Sequence, residues 1–239
     1  MSAETERAWE YVLRTIETDL LSGALKPGDR LPPERTLAAH LSVGRSSVRE
    51  AFRVLEVLGL IRTASGSGPQ AGAIIVATPS GGMSALMRLQ VAATGFAVAD
   101  IVSTRLLLET SVAAELAATD ADTTAPRQLL SAMDSPGLSE AEFLALDAQF
   151  HVSLAEASGN VVVAAMMAGL RSSIESYVLR AVPNLESWER TSARLRTEHA
   201  AILAAIESGQ VAEARELVHD HISHYYAESH LTRDAASVA

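Results

Sequence analysis

Along most of the chain, apolar side chains recur every three to four positions, the period of a helix with one face turned inward. Over residues 5–22, Ala8, Trp9, Val12, Ile16 and Leu20 share a face, and Gly23 with Pro27-Gly28 ends the helix they predict. A second helix is expected over Pro33–His40, with proline suited to a first turn and Glu34 favourable at the positive end of the dipole. Leu41-Ser42-Val43-Gly44 connects it to a third helix over Arg45–Leu58, with Gly44 at the N-cap position. Val48, Ala51, Phe52 and Leu55 form one side of this third helix, set to pack on Leu37, Ala38 and Leu41. Arg45, Arg49 and Arg53 recur at four-residue steps on the other side. Gly59 ends the helix, and the mixed runs 60–65 and 73–77, separated by a Gly-rich stretch, predict a β-hairpin. Three helices and a hairpin make a winged helix-turn-helix, whose helix with an apolar back and an arginine front suits a major groove. Ser46 and Ser47 fall in its first turn, where hydroxyls and free N–H groups can meet a phosphate.

Residues 78–82, Thr-Pro-Ser-Gly-Gly, have the composition of a linker. Beyond them the helical period continues with no convincing strand: 85–93, 99–119, 125–133, 139–157, 161–181, 185–208 and 211–231. Over 99–119 the inward positions are expected to be Val102, Leu106, Leu107, Ala113 and Leu116, and Asn160 is expected to cap the helix after the Ser158-Gly159-Asn160 break. The fold class expected is mainly α: an N-terminal winged helix-turn-helix, then an all-α antiparallel bundle of six or seven helices. The domains fall at 1–77, then 78–97 as linker and connecting helix, then 98–239.

Composition narrows the setting. With 239 residues and 48% apolar content, the chain can bury a sizeable core in two domains. There is no cysteine, which excludes disulfides and thiolate metal sites. The N-terminus has no apolar h-region, and the longest apolar run, 161–170, is about half of the roughly 18 residues a membrane span needs. A soluble, cytoplasmic protein with no membrane partner is expected. The net charge of −10 opposes nucleic acid only if it is read globally. Residues 26–62 hold seven basic and four acidic side chains, whereas 77–239 hold ten basic and twenty acidic. Phosphate attraction acts within a Debye length of roughly 10 Å, so the acidic half does not cancel a locally basic head.

Six of the seven histidines lie beyond residue 150. Asp147 and His151 share a helical face, while His199 and His221 sit beside apolar residues of the last two helices. Three imidazoles and a carboxylate converging inside a bundle suit a divalent transition metal, zinc or nickel. On spacing alone, the plainer reading of a surface i,i+4 pair and satisfied histidines stands ahead of it. His224 is expected in the core or beside the cluster, His219 in solvent, and His40 at a helix terminus. An Asp/His site also raises the alternative of a metal-dependent hydrolase, with Glu198 or Glu109 as its acid or base. No hydrolase motif accompanies it. A pyridoxal-phosphate enzyme is excluded, since the single lysine is Lys26, within the reading head.

The stretch from Lys26 to Val76, containing PGDRLPPERTLAAHLSVGRSSVREAFRVLEVLGLIRTASGSG, resembles the signature of the GntR family of bacterial transcription regulators. The resemblance implies that Arg35, Arg45 and Arg49 touch DNA, with Ser46 and Ser47 on phosphates and Gly66 in the wing tip. Two departures are Gly44, where the family usually has Ser or Thr, and a wing lengthened by residues 69–72. Residues 98–231 are similar to the ligand-binding FCD domain of the FadR subfamily, through Arg105, Glu109, Asp147, Phe150-His151, Leu154, the Ser-Gly-Asn break, His199-x2-Ile202 and His221. That resemblance implies that Asp147, His151, His199 and His221 bind the metal, and that Arg105 reaches a small organic-acid effector. A buried ion pair between Arg105 and Glu109 is the equally weighted alternative. Together these imply a repressor that binds a palindromic double-stranded operator as a homodimer.

Overall fold

The computed structural model divides into two units, Met1–Leu86 and Met87–Ala239. It describes residues 7–64, 72–76, 82, 85, 86, 89, 90, 93 and 96–229. Gly66 of the wing tip, residues 78–81 of the linker, and residues 230 and 231 of the last helix lie outside the described residues. Of the helix expected over 85–93, the described positions 85, 86, 89, 90 and 93 are helical.

The first unit holds α1 (Ala8–Leu21), α2 (Glu34–Leu41), α3 (Arg45–Val57), β1 (Ile61–Ala64) and β2 (Gly72–Ile75). Val12 and Ile16 of α1, Leu37 and Ala38 of α2, and Val48, Ala51, Phe52 and Leu55 of α3 are buried in one core. Burying each larger side chain contributes about 1.5–3 kcal/mol, so α3 is held by its apolar face while its arginine face stays exposed. Pro33 stands at the N-cap of α2, one position before the helix. Ser42 closes α2 in the left-handed region, at φ 57°. Its backbone N–H is donated to the carbonyl of Ala39. A left-handed residue there lets the chain reverse within the few residues before α3.

The hairpin pairs Ile61 with Ile75 and Ala64 with Gly72, antiparallel. Ile61, Ala73 and Ile75 turn inward as the strand period requires. Periodicity did not indicate that the segment after Pro27-Gly28 also pairs with β2. Leu31 N–H donates to Ala73 O and Ile75 N–H to Asp29 O, each at 2.9 Å, so β2 is bonded on both edges.

The second unit contains six α-helices among the described residues: α4 (Val98–Ala117), α5 (Thr124–Met133), α6 (Glu140–Ala157), α7 (Val161–Ala181), α8 (Trp188–Glu207) and α9 (Val211–Glu228). A 3₁₀ turn, Val182–Asn184, lies between α7 and α8. Ser139 and Glu142 form a reciprocal capping box at the start of α6. Asn160 Oδ1 accepts from the N–H groups of Val162 and Val163, as expected of a cap. α6 is buried on most sides, with Phe143, Leu144, Ala148, Phe150, Val152 and Leu154 in the core. Val161–Asn184 is long and apolar enough by composition to cross a membrane, but 44% of that window is buried in the unit.

One inward residue was misplaced by sequence. Leu107 is 75% exposed, and the buried row of α4 is Ile101, Val102, Arg105, Glu109, Val112, Ala113 and Leu116. Leu107 stands about 200° around the helix from Arg105. The reason is chemical: α4 turns a charged pair inward, and an apolar count cannot register that.

Candidate metal centre and nucleic-acid interface

In the first unit, Arg35 lies exposed in the first turn of α2, and Arg45, Ser46, Arg49 and Arg53 lie exposed along α3. Ser47 is half-buried. With Gly44 at the N-cap, no side chain caps α3, and its first turn remains open to an anion. Arg49 is held from α2: its Nε donates to Glu34 Oε2 at 3.3 Å, and its Nη2 to the same oxygen at 3.0 Å. Glu56, near the end of α3, accepts from the N–H of Thr63 at 3.1 Å and also from its hydroxyl, clamping β1 to the helix. Neither ion pair nor clamp was legible from the spacing of the arginines.

In the second unit, Asp147 and His151 of α6, His199 of α8 and His221 of α9 bring one ligand atom each to within 4.8 Å of one another, all buried. His151 Nε2 and His221 Nε2 are 3.1 Å apart. His199 Nε2 is 3.1 Å from Asp147 Oδ1. That contact is off the line of a hydrogen bond, and neither ring nitrogen of His199 has a hydrogen-bond partner.

Two carboxylates stand behind the imidazoles. His221 Nδ1 meets Glu198 Oε2 at 2.9 Å. His151 Nδ1 lies 2.6 Å from Glu109 Oε2, again off-line but closer than van der Waals contact. A carboxylate at Nδ1 places the proton there and leaves the Nε2 lone pair facing the cluster. Glu109 also accepts from Arg105 Nε at 2.6 Å, so the ion pair read as an alternative for Arg105 exists. Arg105 Nη1 donates to the Tyr177 hydroxyl at 2.7 Å, while Nη2 is buried without a partner. A narrow cavity beside the cluster is lined by Arg105, Asp147, Tyr177, His221, Tyr225 and Tyr226.

The electrostatics favour a site ready for a cation. Burial would raise Asp147, but the close His199 ring and the other two imidazoles outweigh it and hold the carboxylate well below its usual range. Burial would likewise raise Glu109, yet Arg105 and His151 lower it to about 2. Burial is the main cause lowering His199, and burial followed by the neighbouring His199 lowers His221 to about 4. A His199 and a His221 biased toward the neutral ring, with an ionised Asp147, are in the protonation states that a metal requires.

Sequence reasoning missed Tyr177, for which no local signal exists, 72 residues away from Arg105. Glu198 was considered only as an acid or base, although it neighbours His199. His224 is not a core residue: its side chain is 71% exposed, with Nδ1 3.9 Å from Glu198 Oε1, because the inward face of α9 runs through Val218, His221, Ile222 and Tyr225. His219 is exposed, as expected.

Comparison with known proteins gives matches over both units. Residues 10–69 match the family of bacterial regulatory proteins of the gntR type, and residues 100–224 match the FCD domain. The Uxu operon transcriptional regulator of Escherichia coli K12 is 33% identical over 167 residues, which cover 66% of this chain and 62% of that protein. The Glc operon transcriptional activator of the same organism is 29% identical over 93% of this chain and 89% of its own length. Among solved structures, a Streptococcus agalactiae GntR protein superposes with a TM-score of 0.62 at 25% identity, over 90% of this chain and 98% of that one.

Proposed function

The chain belongs to the GntR family of bacterial regulatory proteins and carries the FCD domain, and from that premise we propose that it is a metal-dependent, metabolite-sensing repressor. As a DNA-binding transcription regulator of this family it reads DNA with its first unit. In our reading Arg35, Arg45 and Arg49 make the base and phosphate contacts, Ser46 and Ser47 bind phosphate, and Gly66 enters at the wing. Two copies bind half-sites of a palindrome about one helical turn apart, since a two-fold dimer meets a two-fold operator.

The observation that carries the sensing half is the buried group Asp147, His151, His199 and His221, with ligand atoms within 4.8 Å. Its donors fit a divalent ion: three borderline nitrogens and one hard oxygen suit zinc or nickel. His199 supports the fit: no well-aligned hydrogen bond uses either of its buried nitrogens, and the ion would take one of them, where an unused buried polar atom is otherwise a cost. Bound there, the ion supplies positive charge for an anionic ligand. Around it, Glu109 and Glu198 orient His151 and His221. Arg105, steadied by Glu109 and Tyr177, offers its free Nη2 to the carboxylate of a small organic acid. Such a ligand changes operator affinity only as far as it prefers one arrangement of the protein. Two relatives are named as regulators of operons, one of them an activator, so the sign of control is tested in its own right.

Glu109 and Glu198, the acids that a hydrolase would need, are already engaged by arginines and histidines, which favours a sensing site over a catalytic one. Elemental analysis of the purified protein tests the reading. Wild type should carry about one zinc or nickel per chain, and a His199→Ala/His221→Ala variant almost none. Equal metal content in the two proteins would sink the site. Expression from the protein's own operator should rise in cells lacking it; a fall would reverse the sign.

A further inference from the structure

Behind His221 a line of charged groups runs along α8 and α9 further than the metal site needs. Glu198 Oε2 takes His221 Nδ1 at 2.9 Å, and Glu198 Oε1 accepts from Arg194 Nη1 at 2.6 Å. The other arm of Arg194, Nη2, donates to Glu228 Oε2 in the last turn of α9. Glu228 Oε1 in turn accepts from the Thr191 hydroxyl at 2.6 Å. His221 and Glu228 lie about two turns apart on α9, so Arg194 on α8 bridges the inner and outer parts of the same helix.

Each group has one other option. The Glu198 side chain is 21% exposed and Arg194 28% exposed, so water reaches both. His224 Nδ1, 3.9 Å from Glu198, is too distant to hold the carboxylate by a hydrogen bond. Arg194 is therefore the group that keeps Glu198 turned toward His221 and away from solvent. A planar guanidinium with one arm on each of two carboxylates fixes both of them.

We propose that Arg194 is a positioning residue of the metal centre: through Glu198 it aims His221 at the cluster, and through Glu228 it couples metal binding to the order of the end of α9. The proposal rests on the metal reading given above. Partners that orient a liganding histidine typically change metal affinity 10–100-fold when lost. Helix ends open more readily than helix centres, so a tie from the last turn to a liganded histidine should slow that opening. A role confined to packing would not change metal affinity.

The full chain is titrated with Zn²⁺ against a chromophoric chelator, and hydrogen exchange of residues 222–229 is followed with and without Zn²⁺. In wild type, Zn²⁺ should slow exchange there. Arg194→Met should weaken Zn²⁺ binding about tenfold and abolish the slowing, and Arg194→Lys, which keeps the charge, should recover part of the affinity. Glu228→Leu removes both acceptor oxygens and so frees the end of α9 but leaves Arg194 on Glu198; it should keep the affinity and lose the slowing, which tests the proposal even if Arg194→Met does not fold. Wild-type affinity in Arg194→Met, or loss of both or neither property in Glu228→Leu, overturns the proposal and leaves the metal site standing. A wild type that takes up no Zn²⁺, or a His199→Ala/His221→Ala variant that binds equally well, overturns the metal reading itself.

Discussion

Glu109→Gln replaces one oxygen of a buried carboxylate by an amide at nearly constant size, and the structure gives its cost. Glu109 and Arg105 are 5% and 4% exposed, and Arg105 Nε donates to Glu109 Oε1 at 2.6 Å. The variant leaves a buried guanidinium with the Tyr177 hydroxyl and, as counter-charge, only Asp147, to which it makes no hydrogen bond. Breaking a buried pair from one side costs about 3–5 kcal/mol, a large share of the roughly 5–15 kcal/mol that holds a domain together. Denaturant unfolding of the metal-free protein, followed by far-ultraviolet circular dichroism, should show that loss. Arg105→Met added to Glu109→Gln removes the stranded charge and should restore stability, with a coupling energy of at least about 2 kcal/mol. Zn²⁺ affinity should not return with it. His151 Nδ1 faces a neutral amide in both variants, and both should bind Zn²⁺ at least about tenfold more weakly. A stability loss under about 1 kcal/mol, or a double variant as unstable as the sum of the single changes, would refute the account of this junction.

Two further outcomes follow from other groups. His221 titrates at about 4 in the metal-free fold, chiefly through burial and then through His199, against roughly 6.5 in an unfolded chain. Since the unfolded chain then binds the proton first, this contribution to stability is complete above about pH 6.5, drains away between about 6.5 and 4, and is flat below. Unfolding midpoints across that range should fall less steeply in His221→Asn, and an identical slope would rule out His221 as the source. In the reading head, Arg49→Ala should weaken specific operator binding by about 5–150-fold, the equivalent of about 1–3 kcal/mol for a base-reading arginine, with fold and metal content intact. Specific affinity within about threefold of wild type in a mobility-shift titration would remove Arg49 from the groove.

How far the sequence could be read depended on whether a position was chosen by polarity or by pairing. α3 was legible because Val48, Ala51, Phe52 and Leu55 repeat on one side and the arginines on the other, and the buried face follows that pattern. α4 was legible as a helix but not in its facing. Leu106, Leu107 and Leu108 run consecutively and give no phase, while its buried row contains Arg105 and Glu109. Those two are buried because they satisfy each other together with Tyr177 and His151, partners that lie on other helices. Glu198 was hidden for the same reason: its neighbour in the chain is His199, but its partner in space is His221. The pairing of the Asp29–Leu31 segment with β2 had no signal, because a strip so short carries no alternation.

The hold of Glu34 on Arg49 has a bearing on how this protein should respond to ionic strength. An arginine that arrives beside its own carboxylate brings almost no net charge to the duplex, so it displaces few of the counterions condensed on the phosphates. Its side chain is also already ordered, so little rotamer freedom remains to be lost on contact. The steepness with which binding falls with salt should then come from Arg35, Arg45 and Arg53, none of which has such a tie among the contacts described. Arg49 would set which sequence is preferred, and removing Arg49 and Glu34 together would leave the salt slope nearly unchanged.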